Sequence, residues 1–96
     1  MLKIVKRFAN RREIAELQLE LNSLKARLSS MEDKAFRSRS LAEYWQEQVK
    51  VGLAPESEKE ASVAYYWEEN EKDEAELAQM RSRMLEIKER LILLGL

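Results

Sequence analysis

Residues Ile14 to Val49 leave this chain few ways to fold. Apolar or small residues recur there at alternating gaps of three and four: Ile14, Leu17, Leu21, Leu24, Leu28, Met31, Ala35, Ser38, Ala42, Trp45 and Val49. Five consecutive heptads at a mean spacing of 3.5 describe a helix that buries one narrow seam against another helix. Glu, Leu, Lys, Arg, Gln and Ala fill the rest of residues 13–51, and all are good helix formers. At 1.5 Å per residue such a helix is about 58 Å long.

A second pattern answers the first. Over residues 57–94 the seam reads Val63, Tyr66, Asn70, Asp73, Leu77, Met80, Met84, Ile87, Leu91 and Leu94. Between the two lies Val51-Gly52-Leu53-Ala54-Pro55-Glu56-Ser57. Gly52 suits the left-handed position that follows a helix end. Pro55 cannot occupy a helix interior but is tolerated in a first turn. Ser57 with Glu60 fits a capping box, and Ala54 as cap with Pro55 first in the helix is the other start. A turn this tight makes the two helices antiparallel.

Folding back about Ala54 pairs residues whose numbers sum to about 108. This register faces Leu17 with Leu91, Leu21 with Ile87, Leu24 with Met84, Leu28 with Met80, Met31 with Leu77, Ala35 with Asp73 and Ser38 with Asn70. Ala42 then meets Tyr66, and Trp45 meets Val63. Each seam residue of one arm finds one on the other. The acidic run Glu68 to Glu76 faces Lys34, Arg37 and Arg39, a charge match that orients helices more than it stabilises them. The middle layers are small and polar, a pattern that specifies register at some cost in stability.

Three features are left over. Residues 1–12 carry Lys3, Lys6, Arg7, Arg11 and Arg12 and no acid; the other 84 residues hold twelve basic against eighteen acidic side chains, a balance of −6. On a helical wheel Met1, Leu2, Ile4, Val5, Phe8 and Ala9 fill one side of this arm, with Lys3, Lys6, Arg7 and Asn10 on the other. In the same register residues 1–11 overhang the second helix with no intramolecular partner. Lys3, Ile4, Lys6, Arg7, Phe8, Arg11 and Arg12 are therefore the candidate contacts to an anionic surface. On the second helix, Ala78, Leu85 and Ile92 repeat every seven residues beside the seam, and Leu93 adjoins them. A stripe that broad belongs to a bundle and marks an oligomer interface. Tyr44, Trp45, Tyr65, Tyr66 and Trp67 gather five of the seven aromatics near the turn, with Leu41, Val49, Val51 and Leu53 close by. Tyr and Trp are enriched at binding hot spots, so Tyr44, Trp45, Tyr65 and Trp67 are the candidate partner-binding residues.

Composition closes off most chemistry. The chain has no Cys and no His, so disulfides, the commonest zinc and haem ligands, and Ser-His or Cys-His nucleophiles are all excluded. Its two glycines, Gly52 and Gly95, form no phosphate-binding loop. Carboxylate pairs such as Glu13/Glu16/Glu20 and Glu71/Glu74 fall outside the seam. No enzyme activity, metal or cofactor is expected. No apolar run approaches a membrane span, and residues 1–12 lack the continuous apolar core of a secretory signal, so the expected setting is cytoplasmic.

A helical hairpin of 96 residues resembles the small type VII secretion substrates. Those carry Trp-x-Gly in the turn; here the turn reads Val51-Gly52-Leu53, with Trp45 seven residues before Gly52, so that family is rejected. Short, charged, cysteine-free coiled coils with a basic start also resemble, in style, products of phages and mobile elements.

The expected fold is all-α: a basic amphipathic arm over 1–12 and a long antiparallel two-helix hairpin (coiled coil) over 13–96, with helix 13–51, turn 52–56 and helix 57–94, dimerising into a four-helix bundle. The expected function is protein–protein interaction by helical packing, as adaptor, scaffold or inhibitor, with another protein and a second copy of the chain as partners. The alternative is a membrane-peripheral protein held on anionic lipid by the arm. Nucleic acid, bound by the same arm, is disfavoured by the acidic body.

Overall fold

The computed structural model describes residues 2–52 and 56–96, with side chains from 61 onward in the last helix. The reversal at Ala54, Pro55 in a first turn, the Ser57–Glu60 capping box, Leu53 beside the aromatics and Met1 on the arm fall outside the described residues. Three helices follow one another: α1 (Leu2–Ala9), α2 (Arg11–Val51) and α3 (Glu56–Leu93). No strand occurs among the described residues. The long helices α2 and α3 pack against each other. Gly52 takes a φ of +69°, the left-handed value that ends α2.

The packing falls into two compact units, Met1–Leu28 with Gln79–Leu96, and Ser29–Ala78. In the first, Ile14, Leu21, Met84, Ile87, Leu91 and Leu94 form one buried cluster, with Leu17, Leu24 and Leu28 packed against it. These are the seam positions of both helices. Ile87 is at 0% exposure, and burying such a side chain contributes about 1.5–3 kcal/mol. The helices run antiparallel, and two ion pairs close one flank of the seam. Arg90 Nε donates to Glu13 at 2.9 Å, and seven residues away Arg83 donates to Glu20 through both Nε and Nη2 at 2.8 Å.

In the second unit the seam passes from Met31 and Leu77 to small and polar residues. Ala35 and Ala42 are buried. Asn70 Nδ2 donates to Ala35 O at 3.1 Å and to Ser38 Oγ at 3.2 Å, while Ser38 Oγ donates to Ala35 O at 3.0 Å. Buried Asp73 takes its countercharge from Lys34 at 3.5 Å. Among the described residues no buried side-chain polar atom lacks a hydrogen-bond partner. This is the condition under which a polar layer is tolerated in a helical seam.

The first unit departs from expectation at both of its ends. The backbone ladder continues through Asn10, whose N–H donates to Lys6 O at 3.0 Å and whose carbonyl accepts from Ile14 N–H at 2.9 Å. After α3 the chain makes a Schellman turn: Leu96 N–H bonds to Leu91 O and Gly95 N–H to Ile92 O. Gly95, at φ +103°, is buried against α1. A Cβ added there would lie 2.8 Å from Lys3 O, 3.0 Å from Lys6 Cβ and 3.1 Å from Arg7 N. Arg7 Nη2 also reaches Gly95 O at 3.4 Å. Lys3, Lys6 and Arg7 thus have an intramolecular partner. The unpartnered overhang is corrected: a backbone without a side chain lets α1 sit against the end of α3.

Candidate interaction surfaces

Gly95 meets the basic side of α1, which fixes the outward direction of the other side. Leu2, Ile4, Val5 and Phe8 are 66–77% exposed, and no residue of α1 is buried. The apolar half of an eight-residue helix therefore stands in water. Lys3, Lys6, Arg7, Arg11 and Arg12 are all exposed around it. The Arg11 guanidinium lies 5.2 Å from the Phe8 ring centroid, a cation–π contact that holds one charge at the border of the apolar face. Arg12 pairs with Glu16 at 3.6 Å. Ala15 and Leu19 of α2 are also exposed, seven and eleven residues after Phe8. That spacing keeps them on the same side of the helix.

On the α3 side of the same unit, Leu85, Ile92 and Leu93 are 58%, 69% and 68% exposed, although the adjacent seam is closed. An open hollow at Leu85 is lined also by Leu28, Arg81, Met84 and Lys88. Ala78, the first member of the heptad stripe, is exposed in the second unit.

The aromatics belong to the second unit. Tyr44 and Tyr65 are exposed, whereas Trp45, Tyr66 and Trp67 are half-buried. They associate within helices as edge-to-face pairs: Tyr44 with Trp45 at 5.5 Å between centroids, and Tyr65 with Tyr66 at 5.1 Å. Each pair thus has one ring towards the seam and one outside it. A shallow hollow beside Tyr65 and Tyr66 is bordered by Lys34, Arg37, Leu41 and Glu69.

On the closed flank of the first unit, Glu20 and Arg83 shift each other's titration. Hydrogen bonds from Arg83 hold the Glu20 carboxyl below its usual range against the opposing effect of desolvation. The same bonds, with one that Arg83 donates to Glu86, raise Arg83 further above its already high value. Both groups lie at the surface, and paired groups of this kind are structural. Among the described residues no three Asp or Glu side chains come together as metal ligands, and no helix is long and apolar enough to cross a membrane.

Gly95 is the site residue that sequence reasoning missed. Two signals for it were present: Leu-Gly-Leu directly after an apolar helical run, and a seam spacing that extends backwards through Asn10, Arg7 and Lys3. Comparison with family models, curated proteins and solved structures finds no match to this chain.

Proposed function

We propose that this chain is a non-enzymatic protein–protein interaction module that works by helical packing, and that its first partner is a second copy of itself. One observation carries the reading. Leu85, Ile92 and Leu93 stand exposed on α3 beside a seam that is already full. Burying them in a dimer of paired helices would complete a four-helix bundle, the usual resting place of so broad a stripe. Tyr44 and Tyr65, the exposed rings of the two aromatic pairs, form a second surface suited to a different protein. An adaptor, scaffold or inhibitor needs no more chemistry than this. The proposed setting is the cytoplasm, where a chain lacking cysteine relies on packing alone.

Sedimentation equilibrium tests the dimer. The expected mass is twice 11.3 kDa for the intact chain and 11.3 kDa for the Leu85→Asp/Ile92→Asp variant, with helical circular dichroism preserved. A single-chain mass for the intact protein at high concentration removes the self-association reading.

A further inference from the structure

We propose that the outward face of α1 lies on an anionic membrane surface, with Gly95 as the seat that holds it in that orientation. This inference is independent of the dimer. It starts from the roll of α1, which composition alone does not set. Contact of Lys3, Lys6 and Arg7 with Gly95 fixes the basic side against the end of α3. Leu2, Ile4, Val5 and Phe8 are then presented together, away from that contact. Leu19 extends the apolar face into α2.

Charge selects the occupant. Five cations and no acid lie within residues 1–12. A second α1 packed on this face would bring five cations against five, an arrangement that like-charge repulsion opposes. A nucleic-acid backbone would take up the cations but leave four large apolar side chains in water. An anionic bilayer satisfies both sets at once: acyl chains receive Ile4, Val5 and Phe8, and headgroups receive Arg11, which borders the apolar face at the Phe8 ring, together with the exposed ends of Lys3 and Lys6, while Arg7 stays bonded to Gly95 O. Long basic side chains reach the headgroup level by stretching their aliphatic stems along the apolar face. Residue for residue, α1 is short for an anchor. The binding is therefore reversible and depends on both apolar insertion and charge.

The test uses the full chain and vesicles of two compositions: pure phosphatidylcholine, and about two parts phosphatidylcholine to one part phosphatidylglycerol, which supplies the negative surface that basic segments seek. The chain is expected to co-sediment with the mixed vesicles about tenfold or more better than with the neutral ones, and less so at high salt. Ile4→Asp/Phe8→Asp should abolish this. Ile4→Lys/Phe8→Lys, which removes the apolar contact while adding charge, should still weaken partition about tenfold. A Phe8→Trp chain should show a blue-shifted emission on mixed vesicles alone. No preference for mixed vesicles by the intact chain overturns the proposal. Equal or better binding by the lysine variant overturns insertion. A lipid-free molar mass that falls in Ile4→Asp/Phe8→Asp reassigns the face to contact between copies and overturns it as well.

Discussion

The Glu20 carboxylate and the Arg83 guanidinium meet as a two-pronged pair across the seam, with Nε to Oε1 and Nη2 to Oε2 both at 2.8 Å. This is fork-to-fork geometry, and seven residues away Glu13 and Arg90 form a pair of the same sense through a single bond. The opposing charges at 13, 20, 83 and 90 fix which residues of the two helices are neighbours. Their energetic weight is limited, because both partners of each pair remain in contact with water.

A pH dependence follows from the direction of the Glu20 shift. Its carboxyl titrates below the usual range because Arg83 bonds the charged form. A carboxylate with a depressed folded-state pKa stabilises the fold above its unfolded pKa and loses that contribution as pH falls through the folded one. The pair is therefore intact at neutral pH and is lost in acid, below the ordinary carboxylate range. Urea denaturation of the intact chain and of Arg83→Gln should differ at neutral pH and low salt. The difference should close as the solution is acidified or as salt is raised. A gap that persists unchanged in acid would assign the effect of Arg83 to its aliphatic packing.

Burial separates two neighbouring apolar residues of α3 that composition treats alike. Ile87 is fully enclosed, whereas Leu85 is exposed. Ile87→Ala should lower stability by about 2–5 kcal/mol, through lost transfer energy and the cavity left behind. Leu85→Ala should change the stability of the single chain by no more than about 0.5 kcal/mol. Chemical denaturation at low protein concentration isolates the intrachain terms. If the Leu85→Ala loss grows with protein concentration, the side chain is buried between copies.

How far the fold could be read in advance depended on where the information lay. The clustering of Leu21 with Ile87 and the bonding of Asn70 to Ser38 are both consequences of heptad spacing, a local property of each helix. Charge matching was read less well. The acidic run supplies Asp73 to Lys34, whereas the two-pronged Glu20–Arg83 pair lies outside any block of charge, at flanking positions seven from Glu13 and Arg90. The seat at Gly95 was harder still. Its effect arises from an absent side chain and a left-handed backbone, and it becomes visible only when the ends of two helices far apart in sequence are brought together. Composition points the basic side of α1 towards a partner, yet Lys3 and Arg7 continue the spacing of Ile14 and Leu17, and packing follows the spacing.

The polar layer of the second unit makes a prediction about uncompensated charge. Asp73 is buried, while its partner Lys34 is largely exposed. Lys34→Ala strands a carboxylate in the seam and should destabilise the chain by on the order of 1–3 kcal/mol. Adding Asp73→Leu to that variant removes the charge altogether and should recover most of the loss, since an apolar residue suits a seam position. Thermal melts of the two variants check the order. Failure of the second substitution to restore stability would mean that Asp73 contributes through its packing geometry and not through its charge. Asn70→Leu should likewise cost little, because Ser38 still has Ala35 O to donate to. Its expected penalty is in specificity, read as a mixture of species by sedimentation.

Gly95→Ala tests the seat of α1 directly. Two effects act in the same direction. Alanine at φ +103° is strained by about 1–3 kcal/mol, and its methyl group would lie 2.8 Å from Lys3 O, a backbone atom that cannot rotate away. Lys6 Cβ and Arg7 N crowd the same position. Relief requires α1 to move off the end of α3. An eight-residue helix is well below the ~12–15 residues at which an isolated helix becomes marginally stable in water. Its connection to α2 through the Asn10 ladder is then its remaining support. Amide hydrogen exchange should accordingly quicken across residues 3–9 in Gly95→Ala, while the amides of Leu21 and Ile87, within the buried cluster, keep most of their protection. Unchanged exchange in α1 would show that the Asn10 junction alone holds the helix and that its contact with Gly95 contributes nothing to its order.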